Sequence, residues 1–348
     1  MDGNGMDEDR YDVLVVGGGA AGLSGALTVA RARRRVLVVH DGTPRNRPAA
    51  HMHAYLGLDG LPPVDLLARG RAEVQGYGGE VVEARVADVR RDEDDFRAEL
   101  DGGRVVRARR VLVATGLADE LPPVDGLAAR WGRDVLHCPF CHGWEARDRA
   151  VAILGSGATA LHQAQLWHGW TRDLTLFLDG GEDPDEAGWE RLAALGVRVV
   201  DGRVAGLEVT DDAVSGVRLA SGVVLPCDAV VVATVMSARL DGLDGLGLAT
   251  APPMMGGRRF GTAVEAGPDG ATAVPGVRVA GNVTDLRAQV QVAAAEGLVA
   301  GAAFVAELAA EDADAAVARY RREQAAPFSV RSERELADRL AGDGRHGL

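Results

Sequence analysis

The 348-residue sequence contains no lysine, so all 38 of its basic residues are arginine. This excludes a Schiff-base lysine and the lysine of a P-loop, and with them pyridoxal enzymes and Walker-type ATPases. Cysteine is scarce: Cys138, Cys141 and Cys227 are too few, and too odd in number, for a secreted disulfide framework. Positive charge is also short, with 51 acidic residues against 38 basic ones and a net charge of -13. That is the wrong sign for a protein that works on phosphate backbones, so nucleic acid is not an expected partner. No run approaches the ~18 apolar residues of a membrane span. The acidic opening MDGNGMDEDR lacks the basic, then apolar, pattern of a signal peptide. A cytoplasmic protein without a membrane partner is the expectation.

What is present is a globular composition, 47% hydrophobic and 26% charged, with 46 glycines for tight turns. The length exceeds the roughly 250 to 300 residues at which a single core stops growing, which predicts two domains. An apolar run from Tyr11 to Val16 leads into GGGAAG at Gly17 to Gly22, then a helical stretch of small residues, then a second strand at Arg35 to Val39. This is a βαβ unit whose Gly17, Gly19 and Gly22 complete the GxGxxG spacing. Such glycines let the backbone turn tightly and approach a pyrophosphate at a helix N-terminus. At the end of the second strand, where an acid usually binds ribose, stands His40, with Asp41 next to it as the candidate.

The pattern recurs at Val151 to Leu154, followed by Gly155, Gly157 and Ala160, a helix, and a strand ending at Leu178. A 2′-phosphate would want arginines there, and the sequence offers Asp179, Gly180, Gly181, Glu182 and Asp183, so NADPH is disfavoured. Asp179 leaves NADH open, beside the alternative of a relic fold with no ligand. β-rich stretches follow each unit, and LPPVDGL at Leu121 to Leu127 and the segment Leu240 to Gly261 read as linkers. After Gly276 the strand VRVAG precedes a loop and an Ala/Gly-rich helix from about Gln289 to Ala309. The final residues read as a charged helix or a frayed tail.

His137-Cys138-Pro139-Phe140-Cys141-His142 admits four chemistries. A redox dithiol fits best, because CxxC at a helix start brings two sulfurs within bonding reach and Pro139 suits the first turn, where the dipole lowers a thiol pKa. CxxCH also spells a haem attachment, which normally follows export. A zinc site would need a fourth ligand that unpaired Cys227 does not supply. Two buried thiols on a helix complete the set, and Cys227 itself reads as core. Pro44, Arg45, Asn46, His51 and His53 form a polar loop at a strand C-terminus, where ligand crevices open. The tryptophans, Trp144, Trp167, Trp170 and Trp189 among them, read as core or interface.

Two dinucleotide folds, a CxxC opening a helix, and the closing VRVAGNVTDLRAQVQVAAAEG together resemble low-molecular-weight thioredoxin reductases from about residue 11 to 305. The resemblance implies an α/β fold of two Rossmann-like, three-layer ββα domains. FAD would bind one built from residues 1–117 and 245–325; residues 118–244 would form the second, with the CxxC and a degenerate NAD(P)H site, and 326–348 a charged tail. By the same comparison FAD would lie on Gly17, Gly19, Ala20, Ala21 and Gly22, with His40, Asp41, Arg45, Asn46, His53 and Val86 nearby. Ala114, Thr115 and Gly116 would run along it, and Gly281, Asn282, Ala288, Gln289 and Val290 would flank its ring. Cys141 would be the flavin-proximal sulfur and Cys138 the exchanging one.

Three departures from the reductases stand out. Their paired arginines fall at Asp179 and Gly180, the aspartate after the second cysteine is His142, and their Gly-Asp is Gly281-Asn282. These changes, with CPFCHGWE, resemble the FAD-dependent dithiol oxidases that close disulfides in natural products such as gliotoxin and holomycin, using O₂ and no nicotinamide. The implied protein is a homodimer oxidising a small-molecule dithiol to a disulfide with release of H₂O₂, with His142, or else His137, as acid/base. The alternatives are a reductase fed by NAD(P)H or ferredoxin that serves a thioredoxin-like protein, and a non-catalytic redox sensor.

Overall fold

The computed structural model describes residues 9–255, 258–325 and 330–342. Packing divides the chain into two compact units, Met1–Ala302 and Ala303–Leu348. The first opens with β1 (Arg10–Val16), α1 (Ala20–Arg31), β2 (Val36–His40), α2 (Pro63–Gly76), β3 (Glu80–Glu83), β4 (Val86–Asp92), β5 (Asp95–Leu100) and β6 (Val105–Val113). These strands form a sheet in the order β3-β2-β1-β6-β5-β4, parallel from β3 to β6 and antiparallel through the β4, β5 and β6 meander. Leu14 to Val16 and Leu37 to Val39 are buried on both faces, as the interior strands of a parallel sheet must be.

The chain continues through β7 (Leu117–Glu120), α3 (Leu127–Arg130), β8 (Val135–Leu136), α4 (Pro139–His142), β9 (Val151–Leu154), α5 (Gly157–Trp167), β10 (Leu174–Phe177), α6 (Glu186–Ala194) and β11 (Arg198–Val200). A meander of β12 (Val204–Thr210), β13 (Ala213–Leu219) and β14 (Val224–Pro226) precedes β15 (Ala229–Val232). The second parallel sheet runs β11-β10-β9-β15-β8. Beyond it lie β16 (Val235–Ala238), β17 (Thr250–Ala251), β18 (Met254–Met255), β19 (Arg258–Arg259), β20 (Gly261–Val264), β21 (Val277–Val279), α7 (Val290–Ala325) and α8 (Val330–Gly342). β21 returns to pair with β6, while β16 pairs antiparallel with β7, so the two chain crossings between the large sheets lie side by side.

α7 reaches α1 through glycine. A Cβ on Gly297 would stand 1.9 Å from the Ala21 carbonyl oxygen, so only glycine permits this crossing, and it sets the N-terminal end of α7 beside the first glycine turn. At 36 residues α7 is longer than the expected 289–309 helix. Its segment Val290–Glu323 is long and apolar enough to cross a membrane by length and composition, with 33% of its most apolar window buried. This corrects the expectation that no run approaches a span; alanine, glycine and valine supply the apolarity between widely spaced acids. α2 is an element beyond those the sequence patterns predict, and it starts on ordinary signals, Pro63 at its first turn and Asp65. Trp167 is wholly buried, whereas Trp144 and Trp189 are exposed. The tail contains α8, and residues 326–329 and 343–348 lie outside the described residues.

Candidate active site

The first glycine turn is shaped by contacts that tolerate no side chain. Gly17 has φ +113°, and a Cβ there would lie 2.3 Å from the Ala114 oxygen; one on Gly22 would lie 1.9 Å from the Gly17 oxygen. At Gly19, the N-cap of α1, nothing stands within 4 Å of the corresponding position, and the first turn of α1 holds no acid. The result is an open cradle of N–H groups at a helix N-terminus, suited to an anion. It opens into a cavity of about 1090 Å³ that extends to the CxxC.

Of the expected site residues, Gly17, Gly19, Ala20, Ala21, His40, Asp41, Arg45, Asn46 and His53 line this cavity, as do Ala114 to Gly116 and Gly281, Asn282, Ala288, Gln289 and Val290. His137, Cys138, Cys141 and His142 line it too. Gly22 does not, because it packs α1 against the strand. Val86 does not either: β4 carries it into the sheet core, where its carbonyl oxygen lies 2.3 Å from the place of a Gly242 Cβ.

Cys138 caps the short α4, with Pro139 at its first position. The thiol of Cys141 faces Cys138 and, ahead of the backbone N–H groups of Cys141 and Phe140 and the charge of Arg45, lowers the Cys138 pKa to about 7 against the cost of burial. The Cys141 thiol is pushed up by that same partner and by burial. One sulfur is therefore a ready thiolate and the other a proton-holding thiol, the asymmetry that exchange chemistry needs. Cys227 is core, and burial pushes it up to about 12. Burial lowers both histidines below the ordinary imidazole value. Nδ1 of His137 lies 3.1 Å from the Val232 carbonyl oxygen, whereas neither ring nitrogen of His142 has a hydrogen-bond partner. Among the described residues no group of three or more His, Cys, Asp or Glu side chains is arranged to hold a metal ion.

Several contributors come from far along the chain. Arg239 donates to Asp41 at 2.7 Å, and Thr43 N–H donates at 3.0 Å. Burial opposes the charge, yet the Thr43 and Arg239 bonds hold the Asp41 carboxyl down at about 2. Asp41 is thus a structural anchor, committed to protein donors. Arg45 forms a two-pronged pair with Asp119 at 2.5 and 2.7 Å, and Thr234 donates to the same carboxylate at 2.8 Å. Asn282 donates its amide to the carbonyls of Asp285 and Ala288, 2.9 Å each. An aspartate has no such donor, so asparagine is what braces this loop.

The second glycine turn differs. Asp179 accepts the Val204 N–H at 2.7 Å, and a Cβ on Gly181 would lie 2.1 Å from Ser156 Oγ. The loop after β10 therefore rests on the turn itself. The opposite side of α5, through Thr159, His162 and Gln163, faces the large cavity.

Residues 11–297 match the family described as pyridine nucleotide-disulphide oxidoreductase, and the chain belongs to that family. The solved structure titled HlmI is 42% identical and superposes with a TM-score of 0.83 over 91% of this chain and 98% of that one. An oxidoreductase from Agrobacterium tumefaciens is 34% identical, with a TM-score of 0.80 over 86% and 98%. Among named relatives, the thioredoxin reductase sirT of Leptosphaeria maculans is 36% identical over 52% of this chain and 60% of its own length, and aclD of Aspergillus oryzae 35% over 51% and 60%. The chain thus spans under two thirds of those relatives. It is a thioredoxin-reductase-like oxidoreductase, and its family implies a flavin. The residues fit one: the open cradle at Gly19 suits a phosphate, and the cavity leads from it to the thiols.

Proposed function

We propose that the chain is an FAD-dependent dithiol oxidase that closes a disulfide in a small-molecule, natural-product dithiol. The observation that carries this reading is the joint opening of the glycine cradle and the Cys138-Cys141 pair into one cavity while the second glycine turn is covered by its own loop. The Gly17 to Gly22 turn would hold the FAD pyrophosphate, and Asn282 would brace the loop beside the ring. When bound, FAD supplies an acceptor for the electron pair of the reduced cysteines and a route for that pair to O₂, giving H₂O₂.

The protein's own part is thiol exchange. A substrate thiol gives its proton to His142, neutral at working pH because burial lowers its pKa, and attacks Cys138 Sγ of the oxidised pair. The Cys138–Cys141 bond breaks, Cys141 takes the electron pair and the proton that His142 holds, and a mixed disulfide forms. The second substrate thiol gives its proton to the freed His142, attacks the substrate sulfur of that bond and expels Cys138 as a thiolate, whose low pKa makes it the better leaving group. The balance is one dithiol oxidised and one cysteine pair reduced. We also propose a cytoplasmic homodimer.

An anaerobic absorbance titration tests the reading, with a generic dithiol, NADH and NADPH in separate cuvettes. Bleaching by the dithiol alone, reversed by air, is expected. Rapid bleaching by a nicotinamide would replace this reading with a reductase of a thioredoxin-like protein.

A further inference from the structure

We propose that Glu145, held in place by His53, is the positioning carboxylate that stabilises the protonated form of His142. The assignment rests on the oxidase reading only for the use to which His142 is put. His53 sits on the loop after β2, with Nδ1 3.4 Å from Asp59 Oδ1 and Nε2 3.3 Å from Glu145 Oε1. Asp59 also accepts the Ala54 N–H at 2.8 Å, and Ala54 has φ +61°, so the loop tip is wound around Asp59 in a conformation that alanine seldom adopts. This winding aims the far nitrogen of His53 at Glu145. An imidazole set between two carboxylates pairs with both when it is protonated, which ties the loop to the segment after the CxxC.

Glu145 is placed by the helical turn that continues from α4. Ala146 N–H donates to the His142 carbonyl at 3.1 Å, so His142 and Glu145, three residues apart, lie on one side of that turn. Both ring nitrogens of His142 are buried without a hydrogen-bond partner, so an added proton there leans on the backbone of Cys138 and on nearby charge. The charged groups that act on it are Glu145 from its own turn, which favours the proton, and His53 from the loop, which opposes it; burial opposes it more than either. Asp59 stands behind His53. When the substrate thiol transfers its proton to His142, the positive charge appears on the side of the turn that carries Glu145.

The test is an NMR titration of the histidine ring signals in the full-length, FAD-loaded protein labelled at histidine, with His142→Asn identifying the resonance. Glu145→Gln is expected to lower the His142 pKa by about half a pH unit or more, as befits a partly exposed charge lost at close range. Glu145→Asp should restore part of it. In a His53→Gln background the same Glu145→Gln change should shift His142 less, because the carboxylate is no longer held against it. The acid limb of dithiol turnover should move to lower pH with the resonance while the plateau falls. An unmoved His142 titration in Glu145→Gln, or an equal shift with and without His53, would overturn the proposal. A titration that moves as expected in a protein that oxidises no dithiol would leave the proposal standing and remove the oxidase reading instead.

Discussion

The two glycine turns are built to one plan and end in opposite states. In the first, the third position must be glycine, because a Cβ on Gly22 would stand 1.9 Å from the Gly17 oxygen, and the space beyond Gly19 is open. In the second, Ala160 occupies that third position with its Cβ 3.5 Å from the place of a Gly155 Cβ, and the space in front of the turn is taken by Gly181 on Ser156. The acids after the two strands diverge as well. Asp41 is tied to Arg239, leaving the cavity mouth open, while Asp179 is tied to Val204 N–H and draws its loop over the turn. A dinucleotide motif is thus a permission to bind; whether the mouth is open is settled by what the following loop bonds to.

The comparison breaks most visibly at the third position. Gly22→Ala should abolish folding or flavin retention, since neither backbone can yield, whereas Ala160→Gly in the second turn should cost about 1 kcal/mol, the helix-propensity difference; circular dichroism melts would show it. One step smaller, Gly19→Ala should leave the fold intact and expel the flavin, because the new methyl projects into the open cradle. Gly157→Ala, at φ +63°, should cost roughly 1–2 kcal/mol and leave the yellow colour unchanged. A spectrum of the purified variants distinguishes the two.

Asp179→Ala sharpens the second half of the contrast. It leaves the Val204 N–H without its partner, so a loss of about 1–3 kcal/mol is expected with flavin binding unaltered, measured by denaturant unfolding beside the flavin absorbance. The smallest effect concerns the thiols. In the reduced protein, alkylation of Cys138 should be half-maximal near pH 7, rising as pH increases through that value, while Cys227 stays inert. Arg45→Gln removes a cation that favours the thiolate, so the midpoint should move upward; stopped-time alkylation with mass spectrometry would read it.

Both turns, the CxxC and the closing strand-loop-helix were legible because each is a local pattern: glycine spacing, a proline at a helix start, a run of alternating apolar residues. The start of α2, in Pro62 and Pro63, is equally local. Arg239 reaches Asp41 across 198 positions and Thr234 reaches Asp119 across 115, and no local signal connects such residues.

By itself, then, the sequence determined that this chain builds two glycine turns and a dithiol at the start of a helix, because the required backbone geometries are written in neighbouring residues. Only the tertiary structure decided which turn stays open and which acids are already spent on protein donors. Those outcomes depend on hydrogen bonds between segments that meet only after the sheets have formed.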